Sequence, residues 1–477
     1  MLPTNMSAGA LGVASPPRAA TLVAMGIVSA PEYLERREAC RASWLRSPNV
    51  GRGRALSVHF VVRALHAPAS IDQLLRLEHA AHGDVLRVDV PWNETRLRGP
   101  VLSVAAWLTY AVRELASARF VAKLDDDAFV YAPGLEAVVR EAMRVAPSPD
   151  RIYMGPMSWF HWYPKIFERS GFGWSYTMSW SMGRHCRNVT SAEERCLWRG
   201  CGPCMGPFPF ASGFLALLST PLAAELLSGN GDTVRDDDLK RLRAATVLPT
   251  RTGGVQVKVM EDIWVGSLLH RKPPARPISY VALSEKDDKT LVADGCTRCA
   301  TERSRMKLRG RNEGLTSPDC MRSMMAHPRS ISRLPGGLRV AKSALVVHLK
   351  NHQSGKQLER FLAVDDFMRR EACGETLVVS CTSGCKGFLT EGERWSLERN
   401  ARFGSEWGAR LESEAFCSGT QRGAAYCRVG AKPPRNCPKK PIDLLQDQPL
   451  WATVAPRAAE LLRKTREMAA EAQLQGK

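Results

Sequence analysis

The sequence predicts an α/β domain with a largely parallel sheet, and three observations carry that prediction. Short apolar runs recur along the first half of the chain, and stretches with apolar residues at helical spacing separate them. One of the runs passes directly into three consecutive aspartates. Strands that alternate with helices return by crossovers, which is how a parallel sheet is built, and the carboxyl ends of its strands are where such sheets bind ligands.

The elements follow in order. Thr21–Val28 is a short apolar run closed by Pro31 and reads as a buried strand. Glu32–Trp44 is a helix carrying Arg36, Arg37 and Arg41. Leu56–Arg63 alternates as a second strand, Ile71–His82 is a helix, Val85–Val90 a third strand and Val101–Ser117 a helix. Phe120–Leu124 is the fourth strand, and Pro133–Val145 supplies another helix. Residues 153–210 break the alternation: rings such as Trp159, Trp162, Trp174 and Trp180 sit among Gly, Pro and Ser, the pattern of a long aromatic loop. These rings suit stacking on a flat ligand face and equally suit local packing. Ala211–Leu227 returns to strand-then-helix, Asp262–His270 is a helix, and Ala344–Leu349 is an apolar strand with His348 inside it.

This organisation divides the chain into a disordered lead-in (1–20), an α/β domain (21–370, with the aromatic and Cys-rich insertion 153–210) and a Cys-containing extension (371–477). In the extension periodicity fades until a terminal helix, Ala455–Gln473. It is expected to stand apart as a small module.

Composition narrows the function classes. The 477 residues include 44% apolar and 24% charged residues, which excludes global disorder, collagen and a simple coiled coil. No segment supplies the ~18–20 apolar residues of a membrane-spanning helix, and the chain as given reads as soluble. Lys and Arg number 67 against 48 Asp and Glu, a net charge of +19. That charge suits nucleic acid, an anionic membrane or a phosphate-bearing substrate. Basic clusters interleaved with stacking aromatics are missing, so no nucleic-acid partner is expected.

Fourteen cysteines leave two readings, disulfides in an oxidising lumen or zinc on CxxC pairs. Cys201–Cys204 and Cys296–Cys299 stand too far apart for a four-cysteine zinc knuckle. Three N-x-S/T sequons (Asn5, Asn93, Asn188) agree with a lumen, so disulfides are preferred, with Cys186, Cys196, Cys201 and Cys204 expected to pair among themselves. Met1–Ala20 lacks the features of a signal peptide. A lumenal protein would then need either an anchor upstream of this chain or an unconventional route.

Three segments carry chemistry. Lys123-Leu-Asp125-Asp126-Asp127 ends an apolar strand, and an extended backbone puts Asp125 and Asp127 on one face. Two hard oxygen ligands on one face suit Mg²⁺ or Mn²⁺, which bridges diphosphates. A second triplet, Asp236-Asp237-Asp238, follows no strand and reads as a solvated helix start. Glu261-Asp262 precedes an apolar helix, where a carboxylate either caps the helix or serves as a general base. His348 within its strand is a core residue or a further metal ligand.

In this order the segments resemble the β-1,3-glycosyltransferases, the galactosyl-, N-acetylglucosaminyl- and Fringe-type enzymes. Arg37-x3-Arg41-x2-Trp44 is similar to their early Arg-rich helix, and Lys123–Val130 to their metal motif. Pro209–Ser219 resembles their strand with a Ser-Gly turn, and Glu261–Gly266 their E-D-V-x-x-G box. The resemblance covers roughly residues 21–370 and implies a GT-A fold, a UDP-sugar donor, Mn²⁺ (or Mg²⁺) and inversion at the anomeric carbon, with a glycan or glycoprotein acceptor and β-1,3 linkage. By motif position it implies Asp127 and His348 as metal ligands with Asp125 beside them, Asp262 as the base, and Arg41, Asp125, Asp126 and Gly213 near the nucleotide sugar. It also implies the Golgi lumen. The donor segment is reduced to Ser212-Gly213-Phe214, which leaves the donor sugar, galactose or N-acetylglucosamine, open. A non-catalytic carbohydrate-binding relative of the same fold is the alternative reading.

Overall fold

The computed structural model describes residues 21–94, 98–162, 171–172, 208–227, 261–271, 276–283, 292–294, 339–340, 344–349, 357–371, 376–382, 424–432, 442–443 and 448–475. The two Cys clusters around 186–204 and 296–320, and the second aspartate triplet, lie outside the described residues.

The amino-terminal half follows the expected alternation: β1 (Val23–Ser29), α1 (Leu34–Ala42), β2 (Leu56–Leu65), α2 (Ala69–His82), β3 (Val85–Pro91), α3 (Gly99–Glu114), β4 (Phe120–Asp125), β5 (Ala128–Val130) and α4 (Ala132–Val145). Then come β6 (Ile152–Gly155), β7 (Met157–Trp162), β8 (Gly171–Phe172), β9 (Phe208–Ala211), β10 (Leu215–Ser219), α5 (Thr220–Leu227) and α6 (Glu261–Arg271). The rest is β11 (Ser279–Leu283), β12 (Val292–Asp294), β13 (Arg339–Val340), β14 (Val346–His348), α7 (Gln357–Glu371), β15 (Thr376–Thr382), β16 (Ala425–Lys432), β17 (Ile442–Asp443) and α8 (Gln448–Gln475).

Nine strands form the main sheet in the order β15-β16-β11-β6-β10-β4-β1-β2-β3. Pairing is parallel along β4-β1-β2-β3 and along β6-β11-β16, while β10 runs antiparallel between β4 and β6. The expected α/β class with a mostly parallel sheet is therefore present.

Helices cover both faces, because strands buried on both sides must bury two sets of side chains. On β4, Phe120, Ala122 and Leu124 face a core built with α1, α2, α4 and α7, whereas Val121 faces a second core with α3, α5 and α6. Lys123 and Asp125 continue the Val121 side of the strand by the alternation of side chains.

Two expectations are corrected. The described parts of 153–210 include strands rather than one loop, with β7 antiparallel to β9 from Met157↔Ala211 to Phe160↔Phe208. The carboxy-terminal quarter does not stand apart. β16 pairs with β11, β15 pairs with β16, and α8 runs beside α2 and α7. The physical reason lies in β11, whose five residues are all buried, so its outer edge needs a covering strand. Cys381 and Cys427 sit directly opposite one another in β15 and β16 and form a disulfide. Cys40 is a buried free thiol. Among the described residues, no helix is long and apolar enough to cross a membrane.

Candidate active site

The apolar run of β4 ends at Asp125, the chain turns at Asp126 and Asp127, and β5 begins at once. β14 lies antiparallel to β5 with His348 opposite Ala128, and the Leu349 N–H donates to the Asp127 carbonyl at 2.7 Å. Strand pairing thus carries His348 to the aspartates. Ligand atoms of Asp125, Asp127 and His348 lie within 4.8 Å of one another, with His348 Nε2 3.2 Å from Asp127 Oδ1. The Phe214 ring stacks on the His348 ring at 4.6 Å and holds its plane.

Two carboxylates and an imidazole converging at a strand edge fit a divalent ion with mixed O and N preference, such as Mn²⁺. Burial pushes the Asp125 carboxyl up to about 6, against the pull of the Lys123 ammonium. A bound cation would relieve that cost, which is the direction expected of a ligand carboxylate.

Asp126 points away from this cluster. It accepts from Ser29 Oγ at 2.7 Å and from Arg36 Nη1 at 2.8 Å, and so braces the turn against β1 and α1.

Asp262 occupies the first turn of α6 and is buried, its Oδ1 accepting from the Ile263 N–H at 2.7 Å. Burial, reinforced by neighbouring Glu261, raises its carboxyl to about 7, with Lys123 pulling the other way. α6 comes this close to β9 because Gly266 has no side chain: a Cβ there would stand 2.6 Å from the Phe210 Cβ. A carboxylate titrating near neutrality accepts a proton at little cost.

Arg41 is not among these groups. Its guanidinium is bound by Asp84, Glu78 and Glu38, and Arg37 is held by Glu78 as well. Arg37 and Arg41 are one turn apart and share a helix face, whereas Arg36 is turned about 100° from Arg37. Arg36 therefore meets Asp126 and keeps 26% of its side chain exposed, its guanidinium 4.1 Å from the Tyr33 ring centroid. The helix rotation thus gives Arg41 to Asp84, Glu78 and Glu38 and Arg36 to Asp126. The motif contains Arg41 and omits Arg36; the angular positions on α1 decide which carboxylates each one meets.

Lys123 is the other group that sequence reasoning left without a role. Its ammonium donates to Asp125 Oδ1 at 2.5 Å, to the Gly213 carbonyl and to Glu261 Oε1 at 3.1 Å. Gly213 is packed against this cluster: a Cβ there would stand 3.0 Å from Glu261 Oε1 and 3.1 Å from Lys123 Nζ.

Residues 35–230 match the Galactosyltransferase family model. The N-acetyllactosaminide β-1,3-N-acetylglucosaminyltransferase 4 of Mus musculus is 31% identical over 189 residues, 36% of this chain and 52% of that protein. The β-1,3-galactosyltransferase 6 of Mus musculus is 31% identical over 144 residues, 30% of this chain and 42% of that protein. Among solved structures, the galactosyltransferase LgtC in complex with donor and acceptor sugar analogs aligns with a TM-score of 0.33 and 10% identity, covering 72% of this chain and 95% of that one. The chain spans about half or less of the curated relatives it matches. Over residues 35–230 the chain is thus similar to the Galactosyltransferase family, and over part of its length to relatives named as β-1,3-N-acetylglucosaminyl- and β-1,3-galactosyltransferases.

Proposed function

We propose that the protein is an inverting, metal-dependent transferase that moves a hexose from a UDP-sugar to a hydroxyl of a glycan or glycoprotein acceptor. The observation that supports it most is the convergence of Asp125, Asp127 and His348 at the end of β4. Galactose and N-acetylglucosamine are the donor sugars that the names of the relatives suggest, and a β-1,3 linkage and a Golgi lumen come from the same resemblance.

In this reading Asp127 and His348 hold a Mn²⁺ or Mg²⁺ ion with Asp125 beside them. When bound, the ion neutralises charge that develops on the departing diphosphate. Arg36, beside the cluster and part exposed, offers a cation to the same anion. Asp262 takes the proton of the acceptor hydroxyl as its oxygen forms a bond to the anomeric carbon and the bond to UDP breaks. Attack opposite the leaving group inverts the anomeric centre. The burial that raises Asp262 also keeps it dry, so the proton passes to it and not to solvent.

The test is transfer and hydrolysis of a panel of UDP-sugars by the full chain, with Mn²⁺ and with chelator. Mn²⁺-dependent turnover of one donor is the expected result. Tight binding of glycans with no turnover of any donor would overturn the reading in favour of a carbohydrate-binding relative.

A further inference from the structure

We propose that Lys123 is a positioning residue for the transfer reaction: one buried ammonium ties the ion-binding carboxylate Asp125 to Glu261, and thereby fixes the start of α6 with Asp262 relative to the Asp125–Asp127–His348 cluster. The inference rests on the reading of Asp262 as the base.

The geometry is that of a three-way joint. Lys123 lies on β4 and is only 5% exposed. It meets Asp125 on its own strand, the Gly213 carbonyl in the turn between β9 and β10, and Glu261 at the first residue of α6. An ammonium has three donors, and three acceptors from three elements use all of them. The absent side chain at Gly213 gives the joint its room, since a Cβ would press on both Glu261 and Lys123. β4 and α6 are distant in sequence, and α6 is otherwise placed by apolar packing of Trp264, Val265 and Leu268. Such packing is not directional, whereas a charge-assisted hydrogen bond fixes both distance and direction.

The joint has an electrostatic consequence that simple packing lacks. The charged and titratable groups acting on Asp262 are Glu261 beside it, Lys123 and Asp125 from β4, and Tyr153 from β6. Burial raises Asp262 most and Glu261 adds to that, while Lys123 opposes both. Removing Lys123 and removing the charge of Glu261 must therefore move Asp262 in opposite directions.

The experiment uses the full chain with Lys123→Met and Glu261→Gln. The Asp262 carboxyl titration is read by ¹³C NMR of aspartate-labelled protein, its resonance assigned by loss in Asp262→Asn, alongside the pH profile of transfer. The midpoint is expected to rise by about one unit in Lys123→Met and to fall in Glu261→Gln, consistent with a charge at close range. The low-pH edge of kcat/KM should shift with it. An unmoved midpoint in either variant, or a shift of the same sign in both, overturns the joint. If Lys123→Met does not fold, Glu261→Gln alone decides, because Gln still fits the joint and only its charge is gone. Opposite shifts in a protein that transfers no sugar support the joint and count against the proposed function; unmoved midpoints in an active enzyme overturn the joint alone.

Discussion

His348 Nε2 stands 3.2 Å from Asp127 Oδ1 because the Leu349 N–H donates to the Asp127 carbonyl in the ladder that joins β14 to β5. The imidazole and the carboxylate are thus placed by backbone pairing and not by their own attraction. A substitution at either can remove a proposed ligand without moving the strands.

Metal affinity follows from that placement. Asp127→Asn and His348→Gln are each expected to weaken Mn²⁺ binding by about 10²-fold, at least as much as loss of a supporting residue around a metal site costs. Asp237→Asn, in the second triplet, should leave it unchanged. Calorimetric titration with Mn²⁺ checks this, and equal losses from Asp127→Asn and Asp237→Asn would contradict the ligand assignment.

Asp262→Asn preserves most of the capping ability of the side chain but abolishes its basicity. Transfer should fall at least ~10²-fold in kcat, while UDP affinity, measured separately by calorimetry, stays near the parent value. Glu261→Gln should be much milder. A fully active Asp262→Asn protein would place the base elsewhere.

The pH dependence has a definite sign. As the proposed base, Asp262 would act only when ionised, so kcat/KM should decline as pH falls through about 7, the value to which burial raises it. In stability the same shift acts in reverse. The folded protein holds this proton more tightly than the unfolded chain, whose carboxyl titrates near 3.8. Its contribution is therefore complete below about 3.8 and lost as pH rises through about 7. Denaturant unfolding of the ion-free protein across this range, compared with Asp262→Asn, isolates the term: the difference between the two should grow towards low pH.

Arg36 and Arg41 should separate binding from folding. Arg36→Ala is expected to weaken UDP binding by about tenfold, in line with a charged hydrogen bond, with a smaller loss of stability than Arg41→Ala, because Arg36 pairs with one carboxylate and is part exposed. Arg41→Ala leaves Glu78 and Asp84 short of a partner in a site where Arg41 is only 10% exposed. It should destabilise the fold by about 3 kcal/mol, the lower range for breaking a buried pair. Denaturation and UDP titration of both variants decide this, and a reversed pattern would return the nucleotide role to Arg41.

The Cys381–Cys427 bond closes a loop with a sequence separation of 46. Substituting both by Ser should cost about 2–4 kcal/mol, because the unfolded chain regains the entropy the bridge removes. Thermal unfolding of the double variant should begin with loss of β15 and β16, read by hydrogen exchange. Unchanged protection there would sink this account.

Periodicity by itself determined much of this protein. The alternation of apolar strands with helices from Thr21 to Val145, and the Asp triplet at the end of one of them, are local patterns, and local patterns survive in a linear sequence. The motif order likewise implied one site for Asp127, Asp262 and His348, and strand pairing brings the ligand atoms of Asp127 and His348 together. What only the tertiary structure decided involves partners remote in sequence. The motif Arg37-x3-Arg41-x2-Trp44 leaves Arg36 out, and the rotation of α1 against α2 and β4 gave Arg36 to Asp126 and Arg41 to Glu78 and Asp84. Lys123 reads as one more charge at a strand end until Gly213 and Glu261 arrive from other elements to fill its remaining donors. The extension after residue 371 reads as separate because its Cys and Gly content hides its strands, yet β11, buried along its whole length, required a neighbour and found it in β16. Edges and charges left unsatisfied by local structure are satisfied by whichever distant segment closes them, and that choice belongs to packing, where no window of sequence can read it.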